Sequence, residues 1–283
     1  MGGYFSACGA RAMKSAMSYP FAKSRRIAPA SPWRAAVVGG LIGFLAALII
    51  FAPARWMAAG LFEATNGRIQ LVNVRGTVWT GSGRVLLTGG SDSRDKAVLP
   101  GTFKWELRPA WAGLKLQINA ACCTPAPLQT RLTLGWNAIE LTVEDGFSQW
   151  PANLMAGLGT PWNTIQADAN LQLTTANLVF KSLEGRLVVA GAAQLKALDV
   201  SSRLSEVKPL GSYQLLFNGG PMPAVELITL SGAFKLSGKG SWIGPRLRFN
   251  GTASVDPDMV ATFANLLNII GRRQGVQSII TIG

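Results

Sequence analysis

Few residues in this chain could do chemistry, and the first to test are Cys122 and Cys123. The 283 residues hold three cysteines, and these two are adjacent. A redox thiol pair has the form C-x-x-C, and a structural metal needs further ligands at hairpin or helix spacing. The pair reads first as two thiols in a loop. A disulfide between neighbours is the alternative, since ordinary disulfide geometry wants well-separated Cα atoms. Histidine is absent, which removes imidazole bases, histidine metal sites and the Ser-His-Asp arrangement. Ser93-Arg94-Asp95-Lys96 matches S-x-x-K, but it lies in a polar loop without the S-D-N and K-T-G that accompany that motif in acylating enzymes. Gly238-Lys239-Gly240 lacks the glycine spacing of a phosphate loop. Glu144-Asp145 reads as a strand end, and Asp256 with Asp258 as a helix cap. The expectation is a non-enzymatic protein with no catalytic residue, metal or cofactor.

The element that positions everything else is an uncharged stretch, Ala35–Ala54 (AAVVGGLIGFLAALIIFAPA), between Arg34 and Arg55. A helix needs about 20 apolar residues to cross the hydrocarbon core of a membrane. Before it come Arg11, Lys14, Lys23, Arg25, Arg26 and Arg34, with no acidic residue until Glu63. Short basic flanks stay cytoplasmic. The sequence therefore predicts a basic cytoplasmic tail over 1–34, an anchor over 35–58 and an exterior domain over 59–283. Trp56 and its neighbours are expected to continue the anchor helix to the interface. Ala52-Pro53-Ala54 resembles a signal-peptidase site. The apolar run and the basic leader are both longer than in ordinary signal peptides, which favours a retained anchor. Ala35, Gly39, Gly43 and Ala47 place small residues every fourth position, a face that would let another helix approach closely.

After the anchor the chain is strand-like. Thr102–Arg108 and Leu114–Asn119 alternate apolar and polar residues, as half-buried strands require. Arg75–Gly81, Leu128–Gly135 and Ile139–Glu144 continue the pattern. Phe147–Gly159 is expected to be a helical or turn joint. Beyond it, Ala169–Thr174, Leu178–Lys181, Arg186–Ala190, Gln194–Val200 and further short segments read as separate strands. Two similar halves are expected, about 64–146 and 160–254, closed by a helix over 256–271 with Asp256 as N-cap. Counting segments at hairpin spacing predicts roughly 13–15 strands in a mostly antiparallel sheet. A single sheet of that width must curl or split. Its apolar face, which includes Phe103, Trp105, Leu107, Leu114 and Leu116, must be buried against itself, a partner or a ligand.

Net charge is +13, and six of the 27 basic residues precede Ala35, which leaves the rest at a formal +7. The exterior Lys and Arg are scattered singly along strands, without a basic helix or nucleic-acid motif, so nucleic acid is not expected as a partner.

Several short motifs, in order, carry a resemblance. Arg75-Gly76-Thr77-Val78-Trp79-Thr80-Gly81 follows the form R-G-T-x-W-x-G, and Trp105-Glu106-Leu107-Arg108-Pro109 the form W-x-L-x-P. Pro209-Leu210-Gly211-Ser212-Tyr213 follows P-L-G-x-Y, and Gly238-Lys239-Gly240-Ser241-Trp242 follows G-x-G-x-W. Leu266–Arg273 (LLNIIGRR) closes the set. Over roughly residues 36–275 the chain resembles the bacterial type II secretion system protein N (general secretion pathway protein N) family. The resemblance implies a single-pass inner-membrane component or assembly factor, with its N-terminus cytoplasmic and its bulk periplasmic. Its partners would be platform subunits or pseudopilins. The strand pattern is also similar to AsmA-like envelope proteins, whose curled sheets have an apolar inner face. That implies the alternative, a protein that binds or moves lipid along the face of Phe103, Trp105, Leu107, Leu114 and Leu116.

Overall fold

The computed structural model describes residues 33–283 apart from 91–92, 161, 184–185 and 245. The tail expected over 1–34, with Cys8, lies outside the described residues except for Trp33 and Arg34. The described residues divide into two units at Ala46, with Ala47–Gly283 as the larger. Helix α1 (Trp33–Ile50) has 18 residues, none buried, and is long and apolar enough to cross a membrane. It stops before the expected Ala54. Pro53 has no N–H to donate and biases the residue before it towards extended backbone, so the helix cannot run on. Pro53 is itself extended and precedes a separate helix, α2 (Ala54–Ala64). The continuous helix expected through Trp56 is therefore two helices with a break.

One antiparallel sheet takes up most of the rest. Its first strands are β1 (Ile69–Gly76), β2 (Thr80–Thr88), β3 (Lys96–Val98), β4 (Phe103–Ala110), β5 (Gly113–Ala120), β6 (Leu128–Leu134), β7 (Ala138–Val143) and β8 (Gly146–Pro151). A 3-10 helix over Ala152–Leu158 and a single helical turn, α3 (Trp162–Ile165), follow. Next come β9 (Asp168–Leu183), β10 (Arg186–Ser201), β11 (Gly211–Asn218), β12 (Ala224–Ser231), β13 (Lys235–Ile243) and β14 (Arg246–Ser254). The chain ends with α4 (Ala264–Ile270), β15 (Arg272–Gln274) and β16 (Gln277–Ile282). Neighbours in the sheet follow chain order from β1 to β14 and then β16 and β15, with β3 beside β2 and both β7 and β8 beside β9. The sheet has free ends at β1 and β15 and is not closed.

Several expectations change in detail. Arg75–Gly81 is not one strand: β1 ends at Gly76, residues 77–79 turn, and β2 begins at Thr80. The joint expected over Phe147–Gly159 is strand β8 plus the 3-10 helix, and the sheet runs across it because β7 pairs directly with β9. The segments read as four short strands are two of 16 residues, β9 and β10. The apparent gaps are bulges, with the register shifting between Ala190 and Ala192. Gly191 takes φ +87° there and Asn177, on the partner strand, φ +49°. Glycine and asparagine tolerate that conformation. The helix expected over 256–271 is a 3-10 turn at Pro257–Met259 followed by α4, and Arg272 and Arg273 lie in a strand.

A meander returns its turns alternately to two ends. Here one end carries the β1–β2, β4–β5, β6–β7, β9–β10, β11–β12 and β13–β14 turns. The two contiguous dry clusters gather at the other end. Leu99, Ala120, Cys123 and Leu154 form one, under the 3-10 helix. Leu210, Phe234, Ala253, Val255, Phe263 and Leu267 form the other, capped by α4. Ser278 Oγ, fully buried, donates to Leu267 O at 2.6 Å and ties α4 to β16.

Glycines in the sheet make room for rings. The Phe249 ring lies over Gly238, Gly240 and Gly251, where added Cβ atoms would collide with it. Tyr213 is buried and donates its hydroxyl to Phe234 O at 2.8 Å, and burial pushes that hydroxyl up to about 12. The neutral phenol is the folded form, so the unfolded chain loses this proton first as pH rises from 10. Stability from this group is complete below pH 10 and declines from 10 towards 12. Tyr213→Phe is expected to cost about 1 kcal/mol by leaving Phe234 O unpaired and to remove that alkaline decline. Thermal unfolding of the full chain in detergent at pH 8 and pH 11 measures both effects.

Candidate functional site

The motif Arg75–Gly81 forms a collar around the exit of α1. The turn after β1 pairs with the break between the helices. Val78 N–H donates to Ala52 O at 2.9 Å, Pro53 bridges Thr77, and Trp79 Nε1–H donates to Ile49 O at 2.7 Å. These bonds matter because the last carbonyls of a helix have no partner within it. Inside the turn, Thr77 N–H donates to Thr80 O at 2.9 Å and Thr80 N–H to Thr77 Oγ1 at 3.1 Å. Gly76 has φ +93°, and a Cβ there would strike Thr80 O.

The motif Trp105–Pro109 on β4 supports the collar from the next strand. Trp105 is 3% exposed, donates Nε1–H to Val78 O at 3.1 Å, and pairs directly with Gly81. A side chain at Gly81 would run into its ring. Leu107 N–H donates to Trp79 O at 2.6 Å. The remaining motifs are packing solutions of the same kind: Tyr213 bonds Phe234 O, and Trp242 meets Phe217 edge-on at 5.7 Å. Reading Arg75–Gly81 as one strand hid the collar. The local signal was Gly76 followed by two threonines placed to bond across a turn.

The five residues expected on an apolar face share one side of the sheet. Leu107 pairs with Leu116 and Pro109 with Leu114, and the row continues through Leu132, Leu141 and Phe180. Trp105 is buried under the collar and Phe103 packs on the cluster around Leu99. Leu107, Leu114 and Leu116 are only half-buried. On the anchor, Ala35, Gly39, Gly43 and Ala47 lie on one unbroken helix and are exposed, with open space beside Gly39 and Gly43.

Cys122 and Cys123 form a disulfide between neighbours, the less expected of the two readings. It occupies the tight β5–β6 connection, where Cys123 N–H donates to Ala120 O at 2.9 Å and Gln149 N–H to Cys123 O at 2.7 Å. Cys123 is buried and Cys122 exposed. The bond borders an open cleft of ≈ 390 Å³ with Trp150, Pro151 and Asp168. Ser93 Oγ accepts the Asp95 N–H at 3.1 Å, and Asp95 Oδ2 accepts from Asn163 Nδ2 at 2.9 Å. The S-x-x-K segment thus has a local folding role. Trp79→Phe would keep an aromatic ring and delete the bond to Ile49 O. Faster hydrogen exchange at Val78 in the full chain, read by mass spectrometry, is expected; unchanged exchange would show that the collar holds without the indole.

Comparison with known proteins bears on this arrangement. A model of the family described as type II secretion system (T2SS), protein N, matches residues 67–279. No curated protein and no solved structure matches the chain. The match covers the collar, the Trp105 support, the Tyr213 and Phe249 packing and α4. The chain belongs to the type II secretion system protein N family.

Proposed function

We propose that the protein is a non-enzymatic inner-membrane component or assembly factor of type II secretion. The observation that carries this reading is the family match over residues 67–279. Helix α1 holds the chain in the inner membrane with its basic N-terminus cytoplasmic and the sheet periplasmic, in line with the charge bias of its flanks. The collar then fastens the sheet to the point where the chain leaves the membrane. Platform subunits or pseudopilins are the partners, reached through the small-residue face of α1, the short exposed edge at β15, or the half-buried apolar face. Catalysis has no part in this reading, because the motifs are used in packing.

Deleting the gene in its host should lower secreted enzyme levels or deplete a platform subunit, and crosslinking through α1 should capture such a subunit. Wild-type secretion with normal subunit levels would overturn the reading.

A second reading is favoured by one observation: Leu107, Leu114 and Leu116 are half-buried on a face that runs across several strands. Apolar surface of that kind can hold acyl chains. The double variant Leu107→Gln/Leu116→Gln is expected to lose co-purifying phospholipid by mass spectrometry if lipid lies there. Equal lipid in both proteins would dismiss it.

A further inference from the structure

The turns at the end of the sheet that carries the collar have an unusual composition. Turn positions ordinarily hold Gly, Asn, Asp, Pro or Ser. Here the β4–β5 turn is built on Trp111 and the β6–β7 turn on Trp136. Beyond residue 51, the four most exposed large apolar side chains among the described residues are Trp136 (101%), Trp111 (100%), Met222 (81%) and Leu187 (67%). All four lie at this end, in or next to the β6–β7, β4–β5, β11–β12 and β9–β10 turns. The opposite end holds the two dry clusters, and among the described residues it has no large apolar side chain so exposed.

Topology fixes where this end lies. The β1–β2 turn belongs to the same row, and its Val78 and Trp79 bond the backbone at Ala52 and Ile49, where α1 terminates. Strands sit about 4.8 Å apart, so the β4–β5 and β6–β7 tips follow the collar at steps of about 10 Å along the edge. Trp111 and Trp136 are thus the tips nearest to the point where the chain leaves α1.

Charge supplies an independent observation. Arg108 on β4 pairs directly with Lys115 on β5, which pairs directly with Arg131 on β6. Three exposed cations therefore stand abreast on one face, and Arg108 and Lys115 lie only three and four residues from Trp111. Like charges directly opposite each other on adjacent strands repel. Of these three, only Arg108 has a carboxylate partner among the described residues, Glu106. Three cations thus face one bonded carboxylate in this row, because the nearby Glu140 pairs with Lys181.

Tryptophan at the tips with cations behind them on the strands is the order of groups that suits a membrane interface. Indole rings favour the headgroup level, and Lys and Arg near it gain from anionic lipid. We propose that this hairpin-tip edge rests on the anionic surface of the membrane that α1 enters. Trp111 and Trp136 seat among the headgroups, and Arg108, Lys115 and Arg131 face lipid phosphates. The proposal rests on reading α1 as a membrane anchor.

The test uses the full chain in vesicles of phosphatidylethanolamine and phosphatidylglycerol. Benzoylphenylalanine replaces Trp111, Trp136 or, as the opposite-end control, the exposed Ala126 of the β5–β6 connection. Illumination should give phospholipid adducts at 111 and 136 several-fold above those at 126. Lys115→Glu/Arg131→Glu should reduce them, and more so with phosphatidylglycerol present than in vesicles of phosphatidylcholine alone. Retention in carbonate-washed vesicles with no excess of adducts at 111 and 136 overturns the docking and leaves the anchor standing. Release by carbonate overturns the anchor reading and the docking with it. In native membranes, protein adducts at both positions in place of lipid would assign the edge to a partner and overturn the proposal.

Discussion

A ring laid over a glycine on the next strand holds the register of this sheet near both of its lateral edges. Trp105 sits opposite Gly81, and Phe249 opposite Gly240. In an antiparallel ladder a slip of one residue moves every side chain to the other face. It would also drive each ring into a position where a bulkier residue waits. The glycine provides the space and the aromatic restores the buried area that a bare glycine leaves uncovered. From those two fixed points the alternation carries inward: Leu107 beside Leu116 and Leu215 beside Leu227 on the apolar side, Arg108 beside Lys115 on the polar side.

The same arrangement explains where the protein is dry. A wide sheet with one apolar face needs covering elements, and this chain provides two small ones, the 3-10 helix after β8 and α4 near the C-terminus. Each closes a cluster at one end of the strands. Across the rest of the apolar face Leu107, Leu114, Leu116, Leu132 and Leu141 have no such element over them and stay half-buried. The two contiguous dry clusters thus lie away from the collar, where Trp105, Ala52 and Ala54 are buried outside either cluster.

Much of this was legible in the sequence because period-two alternation is a direct imprint of a half-buried strand. Thr102–Arg108 and Leu114–Asn119 sit in β4 and β5 as read, and all five apolar-face residues share one side. The misread places were those where local chemistry carries two meanings. Asn177 and Gly191 look like turn residues and serve as bulges within long strands. Gly271 looks like a helix stop and is one, but the arginines after it enter a strand. Pro53 sits inside an apolar run and also resembles part of a cleavage site, yet its missing N–H breaks the helix there. The collar was hidden for a different reason. Its bonds join Trp79 to Ile49, 30 residues apart, and such a contact leaves no periodic trace. The disulfide depends on a backbone shape that two adjacent letters do not encode.

The neighbour-to-neighbour order of the strands bears on how such a molecule is made. From β1 to β14 each strand on the main path completes its ladder with the one just before it, or with one that precedes it by a single short segment. Chains whose contacts are close in sequence fold faster than those that must close long loops. A chain released from its N-terminal end would therefore lay down this sheet like courses of brick, each hairpin set on the last. At every stage the newest strand shows an unpaired edge, besides the standing free edge of β1. The last course is the exception: β14 stays uncovered while α4 and β15 are made, and β16 then pairs with both β14 and β15. The growing wall thus keeps its β14 margin open until β16 is laid beside it.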